Sequence, residues 1–214
     1  MNALLVGATG VVGRQILRRL LHEPRVQRVR VIARRPLPPA QVAPTSGKLE
    51  VQVTEFDRLG DNPEWLRADH IFCALGTTIR QAGSQERFRR IDLEYPLTIA
   101  RIALSQGARH FLLVSAVGAN SRSRVFYSRV KGELEEAILA LPYRSVTIAR
   151  PSLLIGERSE PRLGEEIGKR LAFLMPSTYK PVSGDAVAAV LVRAALEDAA
   201  GHRIIESKEI RETP

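Results

Sequence analysis

The sequence has few of the residues that build disulfide frameworks and metal sites. Its 214 residues include one cysteine, Cys73, so no disulfide can form within the chain. The four histidines are far apart in the sequence, at His22, His70, His110 and His202. No spacing among them follows a zinc-ligand pattern, and no cysteine pair supplies thiolates. The sequence therefore does not predict a zinc enzyme, and we expect Cys73, within an apolar run, to be a core residue.

Long hydrophobic runs are also missing. The longest candidate, residues 186–196, is interrupted by Arg193 and is well short of the ~20 residues that span a bilayer. Residues 1–6 lead directly into glycines, without the charged and apolar regions of a secretory leader. From these two absences we expect no membrane partner and a cytoplasmic location.

Aromatic residues make up only 5% of the chain. Its net charge is +9. A polyanionic partner is the first explanation to consider for such a charge. The arginines are spread along the whole sequence, however, without a Lys/Arg block and without interleaved aromatics. This distribution is typical of solvated helix faces, so nucleic-acid binding is kept only as a minor alternative.

Short apolar runs alternate with segments of helical periodicity. We predict strands at 3–6, 29–33, 49–56, 69–75, 110–115, 145–150 and 203–205, and helices at 11–21, 86–106, 126–141 and 182–198, the second broken near Pro96. Strands that are apolar on nearly every residue and alternate with helices form a parallel sheet covered on both faces. The predicted fold is a doubly wound, Rossmann-type α/β domain over residues 1–214, with a small irregular cap at about 151–184.

A glycine-rich turn separates the first strand from the first helix. Gly7 permits a sharp turn, Gly10 lets backbone N–H groups approach a phosphate, and Gly13 allows close packing of the helix on the sheet. In a doubly wound fold a dinucleotide pyrophosphate lies on this helix N-terminus. We therefore expect cofactor contacts from Gly7, Thr9, Gly10, Val11, Val12 and Gly13. A tight turn without a ligand is the alternative.

The residues after the second strand indicate which dinucleotide is bound. Enzymes selective for NAD carry an acidic residue there, which accepts a hydrogen bond from the ribose 2′-hydroxyl. This chain carries Arg34 and Arg35, whose guanidinium groups can pair with a 2′-phosphate. The sequence thus favours NADP(H), unless both arginines simply face solvent. Asp57, after the third strand, is a candidate acceptor for the adenine amino group or an ordinary turn residue.

Three residues form a candidate catalytic group. Ser115 ends the fifth predicted strand, and Tyr127 and Lys131 follow in one helix. A separation of four residues places the phenol and the ammonium on the same helix face. A phenol is a weak acid near neutral pH, and a neighbouring cation favours its ionised form. We expect Tyr127 to transfer a proton, Ser115 to bind the substrate oxygen, and Lys131 to support Tyr127 and contact the nicotinamide ribose.

Together these motifs resemble the atypical or extended branch of the short-chain dehydrogenase/reductase superfamily, most closely the Tat-interacting-protein group of NADPH-binding oxidoreductase-like proteins. They stand in family order as GATGVVG at 7–13, ARR at 33–35, CALGTT at 73–78, Ser115, YSRVK at 127–131 and RPSLLIG at 150–156. The resemblance implies a Rossmann fold, NADPH and a Ser/Tyr/Lys site. In the CALGTT segment we expect Leu75, Gly76 and Thr77 to contact the cofactor, while capping of the next segment is the alternative for Thr77.

These inferences lead to an NADPH-dependent carbonyl reductase that acts on a small carbonyl or hydroxyl substrate. The alternatives are a regulatory NADPH-binding module with little turnover and an enzyme of the nucleotide-sugar epimerase or dehydratase type. A homodimer is left open. Asp92 and Asp185 are expected at helix ends or in supporting positions.

Overall fold

Seven parallel strands form the main sheet of the computed structural model, which describes residues 1–42, 47–155 and 180–212. A separate pair of short strands, Leu154–Ile155 and Val182–Ser183, lies at the two described ends of the predicted cap. The strands are β1 (Asn2–Val6), β2 (Arg28–Ala33), β3 (Leu49–Val53), β4 (His70–Cys73), β5 (His110–Val114), β6 (Ser145–Arg150), β7 (Leu154–Ile155), β8 (Val182–Ser183) and β9 (Gly201–Glu206). The predicted cap at 151–184 lies outside the described residues over 156–179.

The helices lie between these strands in the chain. They are α1 (Val11–His22), α2 (Pro39–Val42), α3 (Ile79–Ala82), α4 (Gln85–Arg89), α5 (Tyr95–Ser105), α6 (Phe126–Leu139), α7 (Gly184–Glu197) and α8 (Ser207–Glu212). Two 3₁₀ turns, Phe56–Asp61 and Pro63–Leu66, connect β3 to β4, and a π-helical turn, Arg90–Glu94, connects α4 to α5. In the described part of the chain no helix is long and apolar enough to cross a membrane.

The main sheet has the order β3-β2-β1-β4-β5-β6-β9. Side chains of a strand alternate between its two faces, and β1 shows the result. Leu5 packs in a core with Ile16 of α1, whereas Leu4 packs in a second core with Ile99 of α5. Because both faces are covered, the central strands are apolar throughout. The predicted fold class, a doubly wound α/β sheet, is confirmed.

Several element boundaries differ from the sequence prediction. The third strand ends at Val53 instead of residue 56, because Phe56 already begins a 3₁₀ turn. The helix predicted at 86–106 is divided by the π-helical turn. Pro96 has no N–H to donate to the carbonyl four residues earlier, and just before it the Tyr95 N–H bonds to the carbonyl of Arg90, five residues back. The proline therefore coincides with a change in helical register and not with a break.

The strand order indicates which edge of the sheet is suited to ligand binding. The chain proceeds from β1 outwards through β2 and β3, and then returns to the other side of β1 with β4. In open α/β sheets, ligands bind outside the carboxyl ends of the strands at such a reversal of order. The loops after β1 and β4 flank this position.

Candidate active site

A cleft of about 980 Å³ opens at the carboxyl edge of the sheet. Its walls come from the loops after β1, β2, β4, β5 and β6 and from one face of α6. Most of the residues predicted to form the site line it: Gly7, Thr9, Gly10, Val11, Val12, Arg34, Arg35, Leu75, Gly76, Thr77, Ser115, Tyr127 and Lys131. Gly13 and Asp57 are not among the residues that line the cleft.

The glycine turn is held by close backbone contacts. Gly7 has a positive φ of 83°, and a Cβ there would lie 2.4 Å from the carbonyl oxygen of Ala74 after β4. At Gly13 a Cβ would lie 2.0 Å from the carbonyl oxygen of Gly7. Any side chain at either position would push α1 away from the sheet or the turn away from β4. Gly13 therefore acts through packing, as the sequence predicts, and its expected contact with the cofactor remains a prediction.

The start of α1 has the features of an anion site. Gly10 is the N-cap, has extended backbone angles and provides no side-chain hydrogen bond to the first turn, which also lacks acidic residues. The first N–H groups of a helix have no partners within the helix and carry partial positive charge. Here Gly10, Val11 and Val12 line the cleft. This part of the site fits a dinucleotide pyrophosphate.

Two arginines follow β2 at one end of the cleft. Arg34 and Arg35 both line it and are exposed. Over residues 1–42, 47–155 and 180–212 neither guanidinium forms an ion pair. With respect to these ranges, both guanidinium groups are available to an anionic ligand group, such as a ribose 2′-phosphate.

Asp57 has partners within the protein. Its carboxylate lies 2.6 Å from Nη2 of Arg90 and accepts a hydrogen bond of 3.2 Å from the Tyr95 hydroxyl. The hydrogen bond from Arg90 lowers the pKa of Asp57, and the bond from Tyr95 acts in the same direction. In the described part of the cleft, Phe56 and Tyr95 supply the wall here. The expected contact between Asp57 and adenine remains a prediction, and it would have to coexist with the Arg90 pair.

Ser115 follows β5 and carries an unsatisfied hydroxyl. The residue is only 5% exposed, and its Oγ has no hydrogen-bond partner among the described residues. A buried hydroxyl normally has a partner, because leaving it unpaired costs about 1–3 kcal/mol. Since Ser115 lines the cleft, a ligand oxygen is a suitable partner.

Lys131 is buried in an ion pair. Its Nζ lies 2.7 Å from Oδ1 of Asp92, and both side chains are almost inaccessible to solvent. Burial alone would lower the pKa of Lys131, but attraction to Asp92 and then to Tyr127 outweighs burial and raises it. Lys131 is thus held as an ammonium at the floor of the cleft, next to Gly76, where a Cβ would lie 3.8 Å from Nζ.

Asp92 connects this lysine to the loop after β4. Its second carboxylate oxygen, Oδ2, accepts a hydrogen bond of 2.9 Å from the Thr77 N–H. Asp92 thus lies in a supporting position, as expected, but the sequence analysis did not predict that it contacts both Lys131 and Thr77. The available signal was an acidic residue between Ile91 and Leu93 in a segment with helical periodicity. A buried carboxylate needs a positively charged partner, and the sequence does not show that Lys131 supplies it.

Tyr127 lies one turn before Lys131 on α6, as predicted. Its ring packs on Phe88, with the ring centroids 5.6 Å apart. Both Tyr127 and Lys131 line the cleft, so α6 presents a phenol and an ammonium on one face opposite the end of β5. The structure therefore brings Ser115, Tyr127 and Lys131 into the same cleft as the glycine turn.

A parallel sheet with a glycine turn after β1 and a polar Ser/Tyr/Lys group after β5 defines the class of NAD(P)-binding Rossmann-type proteins. The chain matches the NAD dependent epimerase/dehydratase family over residues 3–172. It belongs to this family.

Curated relatives extend the similarity over nearly the whole chain. A protein named FMP52, mitochondrial, from Eremothecium gossypii is 35% identical over 98% of this chain and 96% of its own length. FMP52-1, mitochondrial, from Scheffersomyces stipitis is 37% identical over 92% and 89%. Protein HTATIP2 from Rattus norvegicus is 33% identical over 92% and 80%. The resemblance to the Tat-interacting-protein group is thereby confirmed.

Solved structures agree on the fold. DesIV, a dTDP-glucose 4,6-dehydratase from Streptomyces venezuelae with NAD and DAU bound, has a TM-score of 0.77 at 16% identity over 96% of this chain and 75% of its own. MoeE5 in complex with UDP-glucose and NAD has a TM-score of 0.74 at 16% identity over 98% and 79%. At this identity the likeness shows the fold alone.

The expected cytoplasmic location is wrong. It is overturned by the FMP52 relatives, whose names describe them as mitochondrial. The prediction used the lack of a secretory leader and of a membrane span, and neither criterion distinguishes the cytoplasm from a mitochondrial compartment.

Proposed function

We propose that this protein is an NADPH-dependent oxidoreductase that reduces a carbonyl group. The observation that carries the proposal is the buried hydroxyl of Ser115, which has no partner among the described residues and lies in one cleft with Tyr127 and Lys131. A carbonyl oxygen placed between Ser115 and Tyr127 would give the serine its missing partner. The same cleft continues to the glycine turn, so a dinucleotide bound there reaches this group.

The chain's own residues would act on the substrate oxygen. Ser115 would donate a hydrogen bond to it and fix its position, and Tyr127 would deliver a proton from its hydroxyl. A bound dinucleotide supplies the hydride to the carbonyl carbon. Lys131, held by Asp92, would stabilise the phenolate that remains after proton transfer. The product is the alcohol, and the phenol regains its proton from solvent.

Two features support NADPH as the cofactor. The start of α1, without an acidic residue or a side-chain cap, fits a pyrophosphate. Arg34 and Arg35 line the cleft at the end of β2, where their charge would attract a 2′-phosphate and where a carboxylate would repel it.

The test is NADPH oxidation with a panel of aldehydes, ketones and quinones, comparing the unmodified chain with Tyr127→Phe. A general acid contributes about 10²–10⁴-fold to rate, so turnover should fall at least about a hundredfold while NADPH affinity stays within experimental error. Tyr143→Phe is the matched control. It removes a phenol whose hydroxyl donates to the carbonyl of Ala100 away from the cleft, and it should keep the rate.

Full activity in Tyr127→Phe would exclude this residue as the proton donor. Tight NADPH binding without turnover of any carbonyl would instead favour a regulatory nucleotide-binding module. Epimerase or dehydratase chemistry is the second candidate, because the family is one of NAD-dependent epimerases and dehydratases. Conversion of a nucleotide sugar without net oxidation of NADPH would favour it.

A further inference from the structure

Two buried histidines lie side by side at the opposite edge of the sheet from the cleft. His70 and His110 are the first residues of β4 and β5 and are paired in register, so both side chains project from the same face. Each is only 1% exposed, and their ring centroids are 5.5 Å apart. Asp198, which ends α7, joins them. One nitrogen of each histidine and one oxygen of the carboxylate all lie within 4.8 Å of one another.

The two imidazoles have few hydrogen-bond partners within the described residues. In the described part of the chain, Nδ1 of His70 and Nδ1 of His110 form no hydrogen bond. The other nitrogen of His110, Nε2, lies 2.9 Å from Oγ1 of Thr147. If this nitrogen carries the proton, Nδ1 has a free lone pair, which is the arrangement by which an outer hydrogen bond orients a metal-binding histidine.

Burial at the base of β4 and β5 disfavours the charged form of both imidazoles. Burial lowers the pKa of His110 to about 4, and repulsion from His70 adds to the effect. Burial also lowers the pKa of His70. Neutral imidazoles are the form that coordinates metal ions.

We propose that His70, His110 and Asp198 form a binding site for a transition-metal ion, with Zn²⁺ as the best match to two imidazoles and one carboxylate. Bonds of about 2.0–2.2 Å hold tetrahedral zinc ligands at ~3.3 Å from one another. The three donors therefore have to approach by side-chain rotation. A water molecule would complete four-coordination.

Two arginines set the strength of this site. Nη1 of Arg144 lies 3.1 Å from Oδ1 of Asp198, and Nη2 of Arg109 lies 3.4 Å from Oδ2. They hold the carboxylate in place, but they also repel a dication and compete with it for the carboxylate oxygens. We therefore expect the metal to bind more tightly when Arg144 is neutralised, a result that a purely structural histidine pair would not produce.

The position of the three residues, away from the cleft, indicates a structural role for the ion. The chain after α7 returns to the sheet at this edge, where the Ser145 hydroxyl donates to the carbonyl of Ala199. An ion bound to His70, His110 and Asp198 would cross-link the start of β4 and β5 to the end of α7. It would stabilise the fold from the side opposite the cleft, without taking part in the proposed reduction.

The experiment is calorimetric titration of the untagged, metal-free full chain with Zn²⁺, followed by Co²⁺ absorbance to identify the ligands. The expected result is one ion per chain, with tetrahedral Co²⁺ bands. Asp198→Asn should weaken Zn²⁺ binding by at least about tenfold, since changes even beyond the ligands cost about 10–100-fold. This variant should fold, because Asp198 has a left-handed backbone (φ 47°) that asparagine also adopts.

Arg144→Gln should bind Zn²⁺ more tightly than the unmodified chain, and His70→Gln should lose binding. His22→Gln is the matched control, since His22 is exposed on α1, and it should leave the affinity unchanged. No saturable Zn²⁺ binding, or equal affinity in the unmodified chain and Asp198→Asn, would overturn the proposal.

Discussion

At the scale of single residues, Arg34 and Arg35 are the side chains that we propose to distinguish one dinucleotide from another. They differ from the other arginines described around the cleft because they directly follow β2, where the adenosine ribose lies in Rossmann-type folds. Neither has an acidic partner within the described ranges. Among the residues that the structure describes, a 2′-phosphate would therefore not have to compete with a paired carboxylate.

We predict that NADPH raises the melting temperature of the protein more than NADH at equal concentration, because the tighter ligand stabilises the folded state more. Replacing both Arg34 and Arg35 by alanine should remove most of this difference. The control is the charge-matched pair Arg67→Ala and Arg101→Ala, two exposed arginines away from the cleft, which should keep it. Equal shifts by the two cofactors in the unmodified protein would contradict the assignment.

Asp92 and Lys131 form a buried ion pair beside the cleft. Asp92→Asn should destabilise the protein by about 3–5 kcal/mol, because it leaves the buried ammonium of Lys131 without a counter-charge. Urea unfolding measures this loss. The double variant with Lys131→Met should recover part of the stability, since both buried charges are then removed. A loss below about 1 kcal/mol in the single variant would mean that the pair behaves like a surface ion pair.

At the scale of elements, the π-helical turn and the glycine turn place the site groups. The turn over Arg90–Glu94 changes the direction of side chains between α4 and α5 and lies next to α6, on which Lys131 stands. Such turns often occur at functional sites. It is there that Asp92 reaches both Lys131 and the Thr77 N–H. A regular helix through Pro96 would need a hydrogen bond that proline cannot make.

The glycine turn can be tested by one added methyl group. Gly13→Ala would place a Cβ 2.0 Å from the carbonyl oxygen of Gly7, and neither backbone can move without separating α1 from β1. We expect a loss of about 3 kcal/mol or more and weaker NADPH binding. Gly60→Ala is the matched control, because nothing lies within 4 Å of its added Cβ and its stability should change by no more than ~0.5 kcal/mol.

At the scale of the whole molecule, the contact between α1 and α7 joins an early element of the chain to a late one. A Cβ on Gly184 would lie 2.8 Å from the carbonyl oxygen of Val11, so the two helices start in close contact. Asp185 in the first turn of α7 forms ion pairs of 2.8 Å with Arg18 and 2.7 Å with Arg19. The same side of the sheet carries the core that contains Ile16 and Leu191.

The stability that this helix contact contributes should depend on pH. The hydrogen bond from Arg19, followed by the charges of Arg19 and Arg18, lowers the pKa of Asp185 below its ordinary value of 3.8. The ion pairs therefore contribute stability above that value and lose it as the pH falls through the lower pKa of the folded state. Because Asp185 is partly exposed, Asp185→Asn should cost only about 1 kcal/mol at neutral pH and nothing in strong acid.

Thermal unfolding at a series of pH values checks this prediction. Asp61→Asn is the control, since Asp61 pairs with Arg58 in a more exposed position within a single turn and should change stability less. A cost for Asp185→Asn that persists undiminished in strong acid would show that the side chain acts through packing and not through charge.

Much of the fold and the site follows from local sequence patterns. Apolar runs such as 110–115 predict buried strands, and the spacing of Gly7, Gly10 and Gly13 predicts the turn, because each pattern reflects a requirement within a few residues. Tyr127 and Lys131 share a helix face for the same reason. The boundaries near Phe56 and Pro96 were less accurate, since turn geometry there depends on neighbouring elements.

The sequence by itself determined the class of fold, the glycine turn between β1 and α1 and the choice of Ser115, Tyr127 and Lys131 as candidates. Only the tertiary structure decided which distant groups meet: Asp92 with Lys131 at 2.7 Å, and His70 with His110 and Asp198 at the other edge of the sheet. Backbone propensity and hydrophobic period act over short distances along the chain. A buried charge or an imidazole instead finds its partner through the pairing of strands and the packing of helices, which bring together residues that no local spacing connects.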